Sequence, residues 1–437
     1  MKQRRWLVAS AAAGALALTL SGCAFSNGGG ESSGDTQTTA SGPVTLTFQS
    51  LAYQDPTVAA TKQIVDSWNS AHPDIHVKLV QGGWDNVHDQ LVTQFQGGTA
   101  PDIIQDDSSD IRGFANQGYL ADLKPYLSDD VKNAVSSDVW QTVTLGDGKI
   151  VATPTLLQTY VVFANTDALK AAGVTVPDGK SLSWDDLSSI ATKATASGKF
   201  GLGWGLKSPT AAVMTTALNF DGTFFDVSSD GSAKIHVGAN ELAVPEAIHA
   251  MAYQDQSLDP VTLTQSGTDV VPGFLGGKYA MLVGGNYLAQ QLTQTAPKSF
   301  HWSVLPPLSG SDGTAQAGDP QTMSVSAQSK HVPEAAQFID YFMQAENQAK
   351  LAEGDWLIPA SSAARDLVEK QTAGKNGWSG MLASAENLKA APFQSADDFP
   401  QWSDQYATPQ LQKYFANSIS TDELKKQLTD GWASVSG

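Results

Sequence analysis

The sequence predicts an α/β protein that begins with a parallel sheet. Three observations support this prediction. Strand and helix patterns alternate over residues 44–105, and the 437 residues are enough for two or three domains of about 100–200 residues each. Hydrophobic residues make up 41% of the chain, which supplies large cores and excludes wholesale disorder. Successive strand–helix–strand units form right-handed crossovers between parallel strands.

Periodicity places each of these first elements. Apolar side chains alternate with polar ones at Val44, Leu46 and Phe48, which is typical of a strand. Residues 57–71 have helical spacing, and Pro73 marks the end of that helix. The following elements are a strand over 75–79, a helix over 87–95 that Gly97-Gly98 ends, and a short buried strand over 101–105.

The carboxyl ends of these three strands are the predicted ligand edge. In open parallel sheets, ligands bind outside the carboxyl ends of the strands. Those ends are the segments 50–55, 81–85 and 106–110, and each contains acidic or aromatic residues.

The amino terminus has the features of a secretory signal. Basic residues in Met1–Arg5 precede an apolar run from Trp6 to Leu20, which is typical of a signal peptide rather than a membrane span. Ser21-Gly22-Cys23 then resembles the bacterial lipobox, in which the cysteine is lipidated and becomes the first mature residue. The alternative is a plain signal peptide followed by an accidental cysteine. We therefore predict a signal peptide over 1–22, and lipidated Cys23 with a flexible Gly- and Ser-rich linker over 23–43.

Charge and cysteine content exclude several classes of protein. The 44 acidic and 26 basic residues give a net charge of −18, which argues against nucleic-acid binding and against electrostatic attachment to anionic lipid. One cysteine cannot form an intramolecular disulfide or a Cys-rich metal site, and the seven histidines are scattered. We therefore expect no metal and no cofactor.

An ordered set of motifs carries a family resemblance. In chain order they are Trp68–Val77, Gly97–Ile104, Gln117–Leu123, Gly148–Pro154, Val162–Thr166, Ala172-Gly173-Val174, Ser183–Leu187, Phe274–Met281, Leu305-Pro306-Pro307 and Lys330–Ala336. Residues 64–127 resemble the amino-terminal lobe of the extracellular solute-binding proteins of ABC importers, in the sugar-binding group that includes maltose-binding protein. The resemblance extends over 43–437.

The resemblance implies a two-lobed fold of the periplasmic-binding-protein type. Each lobe is expected to be a mainly parallel sheet flanked by helices, with the ligand in a cleft between the lobes and hinge closure around it. The chain is expected to cross between lobes near 152–158, 303–320 and 356–362. The predicted lobes are 44–154 with 319–358, and 155–318 with 359–437.

The implied function is that of a lipoprotein that captures a carbohydrate outside the membrane and delivers it to an ABC permease. The protein is then a monomer, held to the membrane by Cys23, and not an enzyme. A glycerol-phosphate-type polyol is the alternative ligand, and a secreted glycoside hydrolase or a surface adhesin is the alternative class of protein. The one Gly-x-Ser-x-Gly match, Gly30–Gly34, falls in the predicted linker rather than between a strand and a helix, and the chain has no His-Glu-x-x-His or Walker motif.

A sugar needs flat aromatic surfaces for its C–H faces and carboxylate or amide groups for its hydroxyls. At the first strand end we expect Tyr53 and Asp55 to bind ligand, although Asp55 could instead cap the following helix. Trp84 is a second stacking candidate or, alternatively, a hydrophobic staple. Asp106 and Asp107 are the expected carboxylates, with a solvated helix cap as the alternative.

Further candidates lie near the expected crossings and in the second lobe. Gln158 and Tyr160 flank the first crossing, and Trp356 lies at the third, where core packing is the alternative. Many relatives have tryptophan at the position of Asn286, so this residue departs from the family pattern. The remaining candidates are Trp204, Asn286 and Tyr287, with Asp319 and Trp402 as weaker ones.

Overall fold

The computed structural model describes residues 42–228 and 231–436. The predicted signal peptide, the lipidation site Cys23 and most of the linker lie outside the described residues. No helix in the described part is both long enough and apolar enough to cross a membrane.

Strands and helices alternate along most of the described chain. The strands are β1 (Val44–Ser50), β2 (Ile75–Gln81), β3 (Ile103–Asp107), β4 (Thr153–Gln158), β5 (Tyr160–Asn165), β6 (Leu182–Ser183), β7 (Phe200–Trp204), β8 (Phe225–Val227), β9 (Ala233–Ile235), β10 (Tyr279–Gly285), β11 (Trp302–Val304), β12 (Leu308–Ser309), β13 (Gln316–Ala317), β14 (Asp319–Val325), β15 (Ile358–Pro359) and β16 (Leu388–Lys389).

The helices confirm the predicted alternation in the first 60 residues of the fold. They are α1 (Asp55–Ala71), α2 (Val87–Gly97), α3 (Ser108–Asn116), α4 (Asp129–Ala134), α5 (Ser137–Gln141), α6 (Thr166–Ala171), α7 (Trp184–Ala194), α8 (Pro209–Ala217), α9 (Ala239–Tyr253), α10 (Gly267–Leu275), α11 (Leu288–Thr295), α12 (Val332–Phe342), α13 (Ala345–Asp355), α14 (Ser362–Thr372), α15 (Trp378–Ser384), α16 (Phe399–Trp402), α17 (Thr408–Phe415) and α18 (Thr421–Val435). Short 3₁₀ turns lie at Leu218–Phe220, Pro260–Thr264 and Pro392–Ser395, and a π-helical turn lies at Ser403–Ala407.

Two principal sheets organise the fold. The larger has the strand order β15-β4-β14-β3-β1-β2, and the smaller has the order β11-β5-β10-β7. Both are mixed, which corrects the expectation of mainly parallel sheets. Strand β1 is parallel to β2 and β3, whereas β14 is antiparallel to both β3 and β4. The reason is the direction of the chain. Strands β3 and β4 end at the edge where the chain leaves the sheet, whereas β14 and β15 begin at that edge and run in the opposite direction.

The chain passes between the two sheets at short connections. Thr159 alone separates β4 of the larger sheet from β5 of the smaller one. Gly318 separates β13 from β14, the strand that returns to the larger sheet. After β15 the chain continues to α14, α15 and then β16, which pairs with β13. The lobe boundaries given above stay a prediction.

Apolar side chains pack on both faces of these sheets. The predicted core face of α1 is buried, with Ile64, Val65 and Trp68 at most 4% exposed. One apolar cluster contains Phe48 of the larger sheet as well as Phe163 of the smaller one. The two sheets therefore share a continuous region of core.

Close packing between α7 and β7 requires glycine at position 201. A Cβ atom on Gly201 would lie 1.9 Å from the carbonyl oxygen of Ala191. We expect Gly201→Ala to lower the free energy of unfolding by about 3 kcal/mol, because the backbone must shift to admit the methyl group. Gly113→Ala is the control, since Gly113 is an exposed glycine of α3 whose Cβ would meet no atom within 4 Å. Urea unfolding of both variants measures the effect, and equal stabilities of the two would contradict this account.

Candidate functional site

A cavity of about 610 Å³ lies at the carboxyl ends of β1, β2 and β3. This is the edge that the sequence predicts for the ligand. Strands of the larger sheet and the segments next to them supply most of its wall, and the segment after β10 of the smaller sheet supplies one aromatic residue. The lining residues are Tyr53, Gly83, Trp84, Asp85, Asp107, Gln158, Tyr287, Asp319, Gln321, Asp355 and Leu357.

Strand pairing brings four polar residues together at one end of the larger sheet. In the antiparallel pair β3–β14, Asp107 is opposite Gln321. In the pair β14–β4, Asp319 is opposite Gln158. Because alternate residues of a strand share a face, Asp319 and Gln321 project to the same side. Two carboxylates and two amides therefore line this part of the cavity.

A chain of hydrogen bonds holds the polar groups of this region in place. Gln105 Oε1 accepts hydrogen bonds from the hydroxyl of Ser50 and the backbone N–H of Leu51, each at 2.9 Å. The Nε2 of Gln105 then donates to Oε1 of Gln321 at 3.1 Å. This bond fixes the orientation of the Gln321 amide, whose hydrogen bond to Asp355 lowers the pKa of that carboxyl.

Two further hydroxyl groups position the carboxylates. The hydroxyl of Ser108, the first residue of α3, donates to Oδ1 of Asp319 at 2.9 Å. The hydroxyl of Thr57 in α1 donates to Oδ1 of Asp355 at 3.1 Å. Because both donors belong to helices of the larger-sheet region, the carboxylates are held on rigid elements.

Burial and mutual repulsion raise the pKa values of these carboxyl groups. Burial raises the pKa of Asp107 well above its usual range, and the charges of Asp319 and Asp106 raise it further. Burial also raises the pKa of Asp319, against the lowering effect of the Ser108 hydrogen bond. The pKa of Asp355 rises to about 6, mainly through burial.

Six of the predicted residues line the cavity, among them the weaker candidate Asp319. Tyr53 lies after β1 and is 58% exposed, and Trp84 lies after β2. Asp107, Gln158 and Tyr287 complete the set. Tyr53 and Trp84 thus offer aromatic surface beside the polar groups, with Tyr287 contributed by the smaller-sheet region.

Three predicted residues lie in the interior instead. Trp204 is fully buried in the core and packs against Trp184 at a ring-centroid distance of 6.1 Å, which corrects its expected role in the cleft. Asp106 is 1% exposed and does not line the cavity, because neighbouring residues of a strand point to opposite faces. Trp402, a weaker candidate, is also fully buried, and its Nε1 donates to the carbonyl of Leu428 at 3.0 Å.

Asn286 is a structural residue at the first crossing. It is fully buried, and its Oδ1 accepts a hydrogen bond from the N–H of Thr159 at 3.1 Å. Its Nδ2 donates to the carbonyl of Trp356 at 3.1 Å. Both ends of the amide are thus engaged by backbone, which corrects the expectation that Asn286 contacts the ligand.

Trp356 does not line the cavity, although the residues on either side of it do. It caps α13 in a left-handed conformation with a φ of 57°, and its ring stacks on Trp378 at 5.2 Å. Its neighbours Asp355 and Leu357 line the cavity in its place. The alternative of core packing therefore applies to Trp356.

The last two predicted residues lie outside the set that lines the cavity. Asp55 is an exposed residue in the first turn of α1, where its charge is favourable at the positive end of the helix dipole. Tyr160 is half-buried, and its backbone N–H and carbonyl both pair with the side chain of Gln316. The charges of Tyr287 and Asp319 help to raise the pKa of Tyr160, after the larger effect of burial.

The sequence analysis did not name Asp85, Gln321, Asp355 and Leu357, which also line the cavity. Asp85 comes directly after Trp84 at the same strand end, so the signal was present. Gln321 lies two residues beyond Asp319 on one strand face. Asp355 and Leu357 could be found only by knowing that Trp356 adopts a left-handed conformation. Among the described residues, no group of three or more His, Cys, Asp or Glu is arranged to hold a metal ion.

The buried carboxyl of Asp106 makes stability depend on pH. Burial raises its pKa to about 8, helped by Asp110 and Asp319 and opposed by a hydrogen bond from the N–H of Asp107. Since the folded protein keeps a proton that the unfolded chain releases above about pH 4, the free energy of unfolding should fall as the pH rises from 4 to 8. The contribution approaches about 1.4 kcal/mol per pH unit.

The variant Asp106→Asn removes this titration. We expect its free energy of unfolding to lose the part of the decline that Asp106 causes between pH 5 and pH 7.5, as measured by urea unfolding at both values. Asp129→Asn is the control, because the side chain of Asp129 is 94% exposed. An unchanged pH dependence in Asp106→Asn would show that Asp106 is ionised in the folded state.

Comparisons with known proteins agree with this architecture. Residues 13–349 match the bacterial extracellular solute-binding protein family. An uncharacterized lipoprotein in the oleD 5′ region of Streptomyces antibioticus is 40% identical over 388 residues, which are 88% of this chain and 86% of that protein. The maltodextrin-binding protein MdxE of Bacillus subtilis is 25% identical over 303 residues, or 68% of this chain and 70% of MdxE.

A solved structure shows the same fold. The cyclic α-maltosyl-1,6-maltose binding protein from Arthrobacter globiformis has a TM-score of 0.77 at 18% identity, covering 90% of this chain and 99% of that one. The described chain therefore has the same α/β fold, with the cavity at the end of the larger sheet where Thr159 connects it to the smaller one. From the family match and the 40% identical relative, the chain belongs to the bacterial extracellular solute-binding proteins.

Proposed function

We propose that this protein binds a carbohydrate outside the cytoplasmic membrane and delivers it to an ABC permease. The observation that carries the proposal is the composition of the cavity, in which Tyr53, Trp84 and Tyr287 accompany Gln158 and several carboxylates. Aromatic rings cover the C–H faces of a sugar, and amide and carboxylate oxygens accept hydrogen bonds from its hydroxyl groups. A volume of about 610 Å³ suits a mono- or small oligosaccharide.

The names of similar proteins support the same ligand class. MdxE is named as a maltodextrin-binding protein, and the Arthrobacter globiformis protein is named for a cyclic maltosyl-maltose. We propose by analogy that the ligand of this chain is a sugar, without carrying over the particular sugar that either relative binds.

The alternative ligand, a glycerol-phosphate-type polyol, is disfavoured by charge. In the described part of the chain, the residues that line the cavity include no lysine, arginine or histidine. A phosphate group would enter a cavity with four aspartates and no cation to neutralise it, at a large electrostatic cost. We therefore propose a ligand without an anionic group.

The other alternative, a glycoside hydrolase, is disfavoured by family membership. The chain matches a family of binding proteins, and we propose that it is not an enzyme. Carboxylates in the cavity then serve as hydrogen-bond acceptors for the ligand. A turnover assay on aryl glycosides tests this directly, since release of the aryl group would contradict the proposal.

We propose further that the protein is a monomer anchored by a lipid on Cys23. The lipobox-like Leu20-Ser21-Gly22-Cys23 supports the anchor, as does the lipoprotein name of the Streptomyces antibioticus relative. The predicted lobes, 44–154 with 319–358 and 155–318 with 359–437, are part of this proposal. They are supported by the passages between sheets at Thr159 and Gly318.

Removing the aromatic ring of Trp84 should weaken sugar binding. We expect Trp84→Ala to reduce the affinity roughly ten- to a hundredfold, because stacking on the ring buries apolar surface worth about 1.5–3 kcal/mol. The measurement is titration calorimetry of the full-length protein in detergent with a panel of mono- and oligosaccharides, neutral and amino-substituted.

Tyr126→Ala is the matched control for this experiment, since Tyr126 is an aromatic residue that is 42% exposed and outside the cavity. Its affinity should equal that of the wild type. Failure of every sugar in the panel to bind would refute the proposed function. If Trp84→Ala bound as tightly as Tyr126→Ala, sugar binding would stand but the stacking surface would be elsewhere.

Substitution of Cys23 should detach the protein from the membrane. We expect Cys23→Ala to move the protein from the membrane fraction to the soluble fraction while leaving the sugar affinity unchanged, because the variant keeps every residue that lines the cavity. Immunoblotting of both fractions measures the change. Ser26→Ala, a substitution in the same linker, should remain membrane-bound, and a Cys23→Ala protein that also remained there would refute the lipid anchor.

A further inference from the structure

The cavity is more acidic than recognition of a neutral sugar requires. Four of its lining residues are aspartates, namely Asp85, Asp107, Asp319 and Asp355. Among the described residues, no lysine, arginine or histidine lines the cavity with them. Hydroxyl groups of a neutral sugar can donate hydrogen bonds to these residues, but they bring no positive charge that would stabilise the ionised carboxylates.

The carboxylates are held close to one another by the fold. Asp107 is opposite Gln321 in the β3–β14 pair, and Asp319 lies two residues before Gln321 on the same strand face. Directly opposed or diagonal side chains on one sheet face lie within interaction range. Burial is the main cause of the raised pKa of Asp107, and repulsion from Asp319 adds to it, which is consistent with two acidic groups close together.

Among the described residues, no lysine, arginine or histidine is one of the groups that shift the pKa values of Asp107, Asp319 and Asp355. The hydrogen bonds that support Asp319 and Asp355 come from neutral groups, namely the hydroxyl of Ser108 to Asp319 and the Thr57 hydroxyl and Gln321 amide to Asp355. His88 pairs with Asp110 at 3.4 Å, and neither residue lines the cavity.

The aromatic residues of the cavity also favour the binding of a cation. An ammonium group is attracted both by carboxylates and by the faces of tryptophan and tyrosine rings. Trp84, Tyr53 and Tyr287 supply such rings in the same cavity, and Gln158 and Gln321 supply amides for hydroxyl groups. The site therefore combines features for a sugar with features for a positive charge.

We propose that the ligand is a cationic carbohydrate, an amino sugar or an oligosaccharide that carries protonated amino groups, and that Asp107 and Asp319 bind its ammonium group. This inference rests on the proposed sugar-binding function and names the class of sugar.

Matched pairs of sugars that differ in the amino group test the inference. Titration calorimetry on the full-length protein in detergent, with EDTA present, compares glucosamine with glucose, galactosamine with galactose, and the β-1,4 glucosamine trimer with cellotriose. The fully N-acetylated trimer serves as an uncharged amino-sugar derivative. We expect the amino member of at least one pair to bind at least tenfold more tightly than its neutral counterpart, because a charge-assisted hydrogen bond replaces a neutral one.

Two variants distinguish local recognition from the field of the whole acidic protein. Asp107→Asn and Asp319→Asn keep the shape and an acceptor oxygen but remove the charge, so each should reduce the preference for the amino sugar by roughly tenfold. Asp129→Asn removes an equal charge from an exposed helix start outside the cavity and should leave the preference unchanged.

The possible outcomes separate this inference from the function on which it rests. Equal or tighter binding of the neutral members would overturn the cationic ligand and leave sugar binding intact. Loss of preference in Asp129→Asn to the same extent as in Asp107→Asn would also overturn it. Tight binding of spermidine without binding of any sugar would refute both proposals.

Discussion

The buried amide of Asn286 is the constraint on which the arrangement of the two sheets depends. A protein with a cleft between two sheets needs its connecting segments to be fixed, because each connection is only a few residues long. Asn286 pairs with Thr159 through both its backbone N–H and its Oδ1, and its Nδ2 holds the carbonyl of Trp356. One side chain thereby joins the first crossing, the end of β10 and the segment that leads into β15. Other buried polar groups reinforce the junction, since Thr159 and Ser384 share a hydrogen bond at 2.6 Å and Gln290 donates to the carbonyl of Gly354 at 3.1 Å.

This junction explains how the site combines residues that are distant in the sequence. The left-handed conformation of Trp356 costs free energy for a bulky residue and persists because its carbonyl, its N–H and its ring are all engaged. The turn that it makes places Asp355 and Leu357 at the cavity, beside Gln321 of β14. The path of the backbone thus determines the charge of the cavity. It brings together aspartates from four separate segments and, among the described residues, no basic side chain.

Much of the fold could be predicted from the sequence, and the failures have physical causes. The alternation of apolar residues located β1 and β2. The expectation that ligands bind at the carboxyl ends of parallel strands identified Tyr53, Trp84 and Asp107 without any structure. The same expectation could not place Asp355, because no sequence pattern shows that the next residue, Trp356, adopts a left-handed backbone conformation. The expectation that Trp204 lies in the cleft was wrong, although the sequence of its strand indicates a buried position. Trp204 lies two residues after Leu202 in β7, so both share one face of the strand, and that face is in the core. The family resemblance supplied the two-lobed arrangement but suggested parallel sheets, because it did not show that β14 and β15 return from the cleft.

The position of β14 has a consequence for the order in which the molecule can be assembled. This strand lies between β3 and β4 in the larger sheet, yet it is formed by residues 319–325, more than 150 positions after the end of β4. When synthesis has reached only β4, the edges of β3 and β4 that pair with β14 in the folded protein therefore have no partner. Because pairing over such a long separation is slow and exposed strand edges tend to associate with other chains, the nascent protein should remain without its central sheet until most of its length is available. A polypeptide of this topology cannot complete its larger sheet before β14 is synthesised, and a chain whose sheet is incomplete can still be threaded across a membrane.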